Sequence, residues 1–142
     1  MRFMIIRKAD AETEAGKMPT EELIAAMTEY NEALHAAGVL RGGDGLKPSS
    51  AGARISFKNG KPVVIDGPFA ETKELVAGYT VIEVASRDEA IAWVKKWPAL
   101  DAGGNVQLEL RPFVEIEDFG EAFTPELQAR EEAMRAAEAE QK

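Results

Sequence analysis

The chain has 142 residues, enough for one ordinary domain with its own core. It contains no cysteine, which rules out disulfides, thiolate metal sites and a cysteine nucleophile, and which fits a reducing cytoplasm. The net charge is −8, and the last 26 residues carry 8 acids against 3 bases, so the acidity concentrates in the tail. No basic stripe is present to neutralise phosphates, which argues against nucleic acid as a partner. No apolar run is long enough to span a bilayer, so no membrane is expected.

Met1 to Lys8 lacks the long apolar stretch of a signal peptide and reads as a first strand over Phe3–Arg7. A polar stretch, Asp10–Lys17, bounds it. Pro19-Thr20-Glu21-Glu22 opens a helix, with Thr20 as N-cap and two acids in the first turn. Leu23, Met27, Tyr30 and Leu34 share one face of it, with Ile24 beside them, and Gly38 stops it. Val39-Leu40 resumes an extended path into a glycine-rich segment, Gly42-Gly43-Asp44-Gly45.

A hairpin follows. Arg54–Lys58 and Lys61–Ile65 flank Asn59-Gly60, a strong two-residue turn signal that sets Ile55 opposite Val64 and Phe57 opposite Pro62. Pro62 cannot donate to a ladder, which puts its strand at an edge. Asp66-Gly67-Pro68-Phe69 breaks the strand, and Ala70–Ala77 reads as a short helical turn. Tyr79–Ala85 is a strand. Ser86 and Glu89 form a capping box for a helix that buries Ala90, Ile91, Val94 and Trp97 and ends at Pro98. Trp93 and Trp97 read as packing. Asn105–Ile116 is the last strand, and Thr124-Pro125-Glu126 starts a polar C-terminal helix. Two domains of organisation result: a body over residues 1–116 and an acidic helical extension over 117–142.

Two strand–helix–strand halves predict an α+β fold, a ferredoxin-like sheet with both long helices on one face. The strands are apolar on both sides, Phe3 and Ile5 against Met4 and Ile6. The second side needs a cover, and a second copy of the chain in a homodimer is the simplest one.

The run Asp66-Gly67-Pro68-Phe69-Ala70-Glu71-Thr72-Lys73-Glu74 resembles the DGPF motif of the DGPF-domain, YCII-related family. Gly45-Leu46-Lys47-Pro48, Gly78-Tyr79, Glu89-Ala90-Ile91-Ala92-Trp93 and Glu109-Leu110-Arg111-Pro112 resemble other segments of it, in order. The resemblance implies a dimeric α+β barrel, a bacterial setting and an association with extracytoplasmic-function sigma factors. Most members lack an assigned activity, and some act on chlorinated aromatic rings. A His–Asp pair near the end of the first helix has been proposed in that branch. His35 stands in this region, but Ala36 and Ala37 follow it where the acid is expected.

Each candidate residue has a structural and a functional reading. Asp66 either accepts the N–H of Phe69 or a neighbour to fix the turn or acts as a general base at a pocket mouth. Gly67 supplies a backbone conformation that other residues resist, and Pro68 pre-sets the next dihedral. Phe69 is a core anchor or a stacking platform. Glu71, Lys73 and Glu74 form a solvated cluster, or Lys73 beside Asp66 holds an anionic ligand group. His35, the lone histidine, is a structural side chain or a catalytic one. Arg111 pairs with Glu109 at a dimer seam or clamps a substrate carboxylate.

One histidine without cysteine argues against zinc, and an oxygen-ligand site on Asp44 and Asp66 lacks EF-hand spacing. No cofactor is implied. Two functions follow: a small-molecule-binding or regulatory accessory domain, or a cofactor-independent lyase or isomerase using Asp66 with His35 or Lys73 on a ring or carbonyl substrate. A third is a protein-interaction module with the acidic tail as its contact element.

Overall fold

The computed structural model describes residues 1–141. It divides into two units, Met1–Pro112 and Phe113–Lys142. In the first, the strands are β1 (Arg2–Lys8), β2 (Leu40–Gly45), β3 (Ala53–Lys58), β4 (Lys61–Asp66), β5 (Val76–Glu83) and β6 (Leu108–Pro112). Its helices are α1 (Ala11–Glu14), α2 (Glu21–Ala36) and α3 (Arg87–Val94). Four strands form one antiparallel sheet in the order β2-β5-β1-β6, the ferredoxin-like arrangement, and β3 and β4 form a separate two-stranded hairpin. The fold class is α+β.

Register explains which side chains meet the helices. Phe3 lies across from Ile82 and Pro112, and Ile5 across from Thr80 and Leu110. Phe3, Ile5, Thr80, Ile82 and Val84 are buried on that face. Tyr30 and Leu34 of α2, and Ala90 and Trp97 from α3 and the turn after it, complete the core, so both long helices cover one side. Tyr30 packs on Trp97 with ring centroids 5.4 Å apart, and its hydroxyl donates to the Trp93 carbonyl at 2.7 Å. Burial pushes that phenol up to about 12, so it stays protonated at neutral pH.

The helix starts follow the expected chemistry. Thr20 Oγ1 accepts the Leu23 N–H at 3.2 Å. Ser86 Oγ accepts from Glu89 N at 3.2 Å, while the Glu89 carboxylate reaches one residue further back than a capping box would, to the Ala85 N–H at 3.0 Å.

Three boundaries differ from expectation. Within the polar stretch after β1, Asp10 caps the short helix α1 by accepting the Thr13 N–H at 2.9 Å. The helical turn expected over 70–77 shrinks to Thr72–Glu74, because β5 starts at Val76 to pair with β1 and β2. The last strand, expected from Asn105 to Ile116, is only five residues long, because its sole partner, β1, engages it from Phe3 to Arg7. Val106, Leu108 and Leu110 still turn toward the core together.

One polar knot sits at the end of the helix-covered face. Arg7 Nε and Nη2 donate to Asp101 Oδ2 and Oδ1 at 3.3 and 2.7 Å, and Arg7 Nη1 donates to Asp10 Oδ2 at 3.1 Å. Trp97 Nε1 donates to Asp101 Oδ2 at 2.9 Å. The knot ties β1, the cap of α1 and the α3–β6 connection to one carboxylate. Burial alone would push the Asp101 carboxyl up. The hydrogen bonds from Arg7 and Trp97, the Arg7 charge and the Ala102 N–H outweigh it, and the carboxyl lies below its ordinary value.

The second unit holds a 3-10 segment, Ile116–Ala122, and α4 (Pro125–Glu140), capped by Thr124. Phe119 and Phe123 meet edge to face with centroids 5.3 Å apart.

Because the folded Asp101 is the stronger acid, its stabilisation is complete above the unfolded value of 3.8 and is lost as pH falls through the lower folded value. Asp101→Ala strands Arg7 and costs about 3 kcal/mol at neutral pH. Urea titrations across pH check both points: the variant loses stability at neutrality and shows a shallower acid limb than the parent.

Candidate functional site

The hairpin arises from alternating strands joined by Asn59 and Gly60, whose φ values of 52° and 79° suit a tight reversal. Its register sets Ile55 opposite Val64 and Phe57 opposite Pro62, as the sequence predicts, and the outer side of β4 is unpaired. At its base the Gly67 N–H donates to the Gly52 carbonyl at 3.0 Å, and the Gly67–Pro68 peptide is cis.

Gly67 is glycine for steric reasons. A Cβ there would lie 1.8 Å from the Ser49 carbonyl oxygen, inside any contact distance. Its φ is not in the left-handed region, so the expectation of a conformation that other residues resist is corrected: backbone approach sets the requirement. The structural role expected of Asp66 is corrected as well. The Phe69 N–H donates to Ser49 Oγ at 3.0 Å, not to the Asp66 carboxylate. Ser49 is held in turn by Glu14, whose carboxylate accepts the Ser49 N–H at 3.0 Å and the Ser49 hydroxyl. Asp66 is exposed at the end of β4, across from Ala53.

Beside this clamp the Arg54 guanidinium lies over the Phe69 ring, 4.1 Å from its centroid. Phe69 is partly buried and stands outside the core, so the core-anchor expectation is corrected: its ring face meets the Arg54 guanidinium. Glu71 lies beside Glu74 and raises the Glu74 carboxyl above its ordinary value, while Arg54 and Lys8 pull it the other way. Glu71, Glu74, Arg54 and Lys8 therefore share one charged surface. Lys73 is exposed in the same turn and has no carboxylate within ion-pairing distance among the described residues.

The other candidates lie on other elements. His35 is exposed in the last turn of α2, and no hydrogen bond joins it to Asp66 among the described residues. Arg111 Nη1 contacts Glu109 Oε2 at 3.3 Å on the sheet's second face. Register builds the centre of that face from two rows, Gly42–Val81–Met4–Arg111 and Asp44–Tyr79–Ile6–Glu109, with the pair Arg2–Glu83 next to the first. Its four central apolar side chains are partly buried. On the opposite side, a shallow groove of about 340 Å³ between α2 and α3 is lined by Ala26, Glu29, Tyr30, Trp93, Lys96 and Leu100. Among the described residues, no group of three or more His, Asp or Glu side chains could hold a metal ion, and no helix is long and apolar enough to cross a membrane.

A ferredoxin-like sheet carrying an inserted hairpin, closed at its base by a Gly-Pro turn, defines the class of protein. The model of the YCII-related domain matches residues 1–114, and the chain belongs to that family. A bacterial relative, uncharacterized protein R00369 of Rhizobium meliloti (strain 1021), is 39% identical over 74 residues, which are 52% of this chain and 56% of that protein. The chain therefore spans little more than half the length of this curated relative. Among solved structures, 5-chloro-2-hydroxyhydroquinone dehydrochlorinase (TftG) of Burkholderia phenoliruptrix AC1100, in complex with 2,5-dihydroxybenzoquinone, aligns over 82% of this chain and 97% of its own, at 20% identity and a TM-score of 0.45.

Sequence reasoning missed Glu14, Ser49 and Arg54. Arg54 carried a readable signal, a cation on a hairpin strand whose far end leads into the Gly-Pro-Phe turn. Glu14 and Ser49 meet across 35 residues, and nothing local announces their contact.

Gly67→Ala forces the turn off the Ser49 carbonyl and lowers stability by about 1–3 kcal/mol. Ser49→Ala removes the acceptor of the Phe69 N–H and costs about 1 kcal/mol. Denaturant melts measure both losses, and amide exchange at Phe69 is expected to quicken in the serine variant.

Proposed function

We propose that the chain is a small-molecule-binding accessory domain that works as a homodimer and holds an anionic ligand at the turn formed by Gly67, Pro68 and Phe69. One observation carries the ligand reading. Arg54 is stacked on Phe69 and has no carboxylate within ion-pairing distance among the described residues. A stacked guanidinium has already lost much of its rotamer freedom, and its planar fork is left to receive a carboxylate in two parallel hydrogen bonds. Glu71 and Glu74 beside it disfavour a second anionic group on the ligand and favour a hydroxyl or amino substituent there. A ring or carbonyl compound with one carboxylate meets both demands. Binding of this kind suits an accessory role beside a regulator such as a sigma factor.

The homodimer reading rests on the second face of the sheet. Met4, Ile6, Tyr79 and Val81 form a contiguous apolar centre there, on the side of the sheet opposite α2 and α3. A second copy laid on it removes that surface from water in a two-fold arrangement.

Titration calorimetry with 4-hydroxybenzoate as the probe is expected to show saturable binding that weakens about tenfold in Arg54→Gln, the loss of one charge-assisted bidentate contact. Equal affinity in parent and variant would sink the ligand reading. Light scattering at micromolar concentration is expected to give twice the mass of one chain, and a monomer there overturns the dimer.

A further inference from the structure

We infer that the β3–β4 hairpin is an arm that closes over a second copy of this chain, laying its apolar face against that copy while the basic residues on its other side and at its tip stay clear of the apolar contact. The inference rests on the homodimer reading and adds the element that completes its interface.

Residues directly across an antiparallel pair point to the same side, and alternate residues of a strand do likewise. The pairs Ala53–Asp66, Ile55–Val64 and Phe57–Pro62 therefore share one side of the ribbon, and Arg54–Ile65, Ser56–Val63 and Lys58–Lys61 the other. Beyond its base, the first side is wholly apolar. It is also open to solvent: Ile55 is 56% exposed, Phe57 70% and Val64 63%. Every residue of both strands is exposed, and the two strands pair with each other alone.

A free two-stranded ribbon is marginal in water. Here its base is clamped through Gly67, Gly52, Ser49 and Glu14, so the arm is held out in a fixed direction while its length stays bare. A stable interface removes about 800 Å² from each partner. Four sheet side chains that are already partly buried do not supply that area, and the hairpin face adds to it.

Charge selects the occupant. The hairpin carries Arg54, Lys58 and Lys61 against one acid, Asp66, in a chain whose net charge is −8. Lys58 and Lys61 flank the tip and have no carboxylate within ion-pairing distance among the described residues. A basic, apolar arm on an acidic body complements another such body. An anionic bilayer would attract the arm and repel the rest of the chain. The tip lysines also blunt edge-to-edge strand addition, which leaves the face of the ribbon as the contact.

Sedimentation velocity on the full chain tests the inference. Phe57→Asp and Val64→Lys, on the apolar side, are expected to weaken the dimer about tenfold or more, with unchanged circular dichroism. Ser56→Asp, on the opposite side, is expected to leave it within about twofold. The chain has no cysteine, so a fluorophore on Phe57→Cys reports the arm alone, and its emission is expected to shift to the red as the dimer is diluted apart. A wild-type monomer removes the dimer and the arm together. A wild-type dimer that is indifferent to Phe57→Asp and Val64→Lys, or an emission that ignores dilution, keeps the dimer and overturns the arm. Wild-type protein that stays monomeric and cosediments with phosphatidylserine vesicles assigns the face to lipid and overturns it as well.

Discussion

The close approach of the Gly67 backbone to the Ser49 carbonyl is the contact on which the distinctive part of this molecule depends. It leaves no room for a side chain at position 67. It also brings Phe69 to Ser49, and Ser49 to Glu14, so that one hydroxyl accepts from a backbone N–H and donates to a carboxylate. Glu14 can serve because Asp10 caps the short helix that carries it. A run of polar residues after β1, unremarkable by itself, thus becomes the footing of a hairpin some forty residues later in the chain. The motif at 66–69 is explained first as architecture, and its chemistry falls to what that architecture presents: Arg54 on Phe69, and the acidic pair beyond it.

A second polar knot does comparable work at the other layer. Arg7 continues the alternation of Phe3 and Ile5 and so faces the helices, where a cation needs compensation. Asp101, Asp10 and the Lys8 carbonyl supply it, and Trp97 donates a further hydrogen bond to Asp101. The depressed Asp101 carboxyl is the electrostatic signature of that compensation, and it marks a structural site: Arg7 and Asp101 are largely buried and already paired, so neither is free to bind a ligand.

Periodicity and capping residues made the sheet and helices legible. Thr20 and Ser86 cap where the sequence puts them, the C-terminal helix starts at Pro125, and the Asn59-Gly60 turn sets the hairpin register residue for residue. The apolar rows Phe3/Ile5 and Val106/Leu108/Leu110 sort to the core by alternation alone. What failed was long-range. The end of β6 is set by the reach of β1, which no local signal encodes. Asp66 looks like the turn's hydrogen-bond acceptor in sequence because it is near, yet Ser49, twenty residues from Phe69, takes that place. Glycine at 67 invites a dihedral explanation from sequence, whereas a neighbouring backbone supplies the true one. Arg54 was passed over because its importance lies in stacking on Phe69, a contact between residues fifteen apart.

The second face of the sheet joins these threads. Its two rows run apolar in the middle and charged at the rims, with Arg111 and Glu109 along β6 and Asp44 along β2. Apolar area in such a surface supplies affinity without choosing an orientation, whereas rim charges of both signs penalise registers that set like against like. In the proposed homodimer, a second copy laid there would have its register chosen by charge. The hairpin matters for a different reason: it is clamped at the base, exposed along its length and basic at the tip. In the homodimer proposed above, area at the centre, charge at the rim and an arm outside it would divide between them the work of holding and orienting one partner, and that partner's own net negative charge is what the arm's lysines would meet.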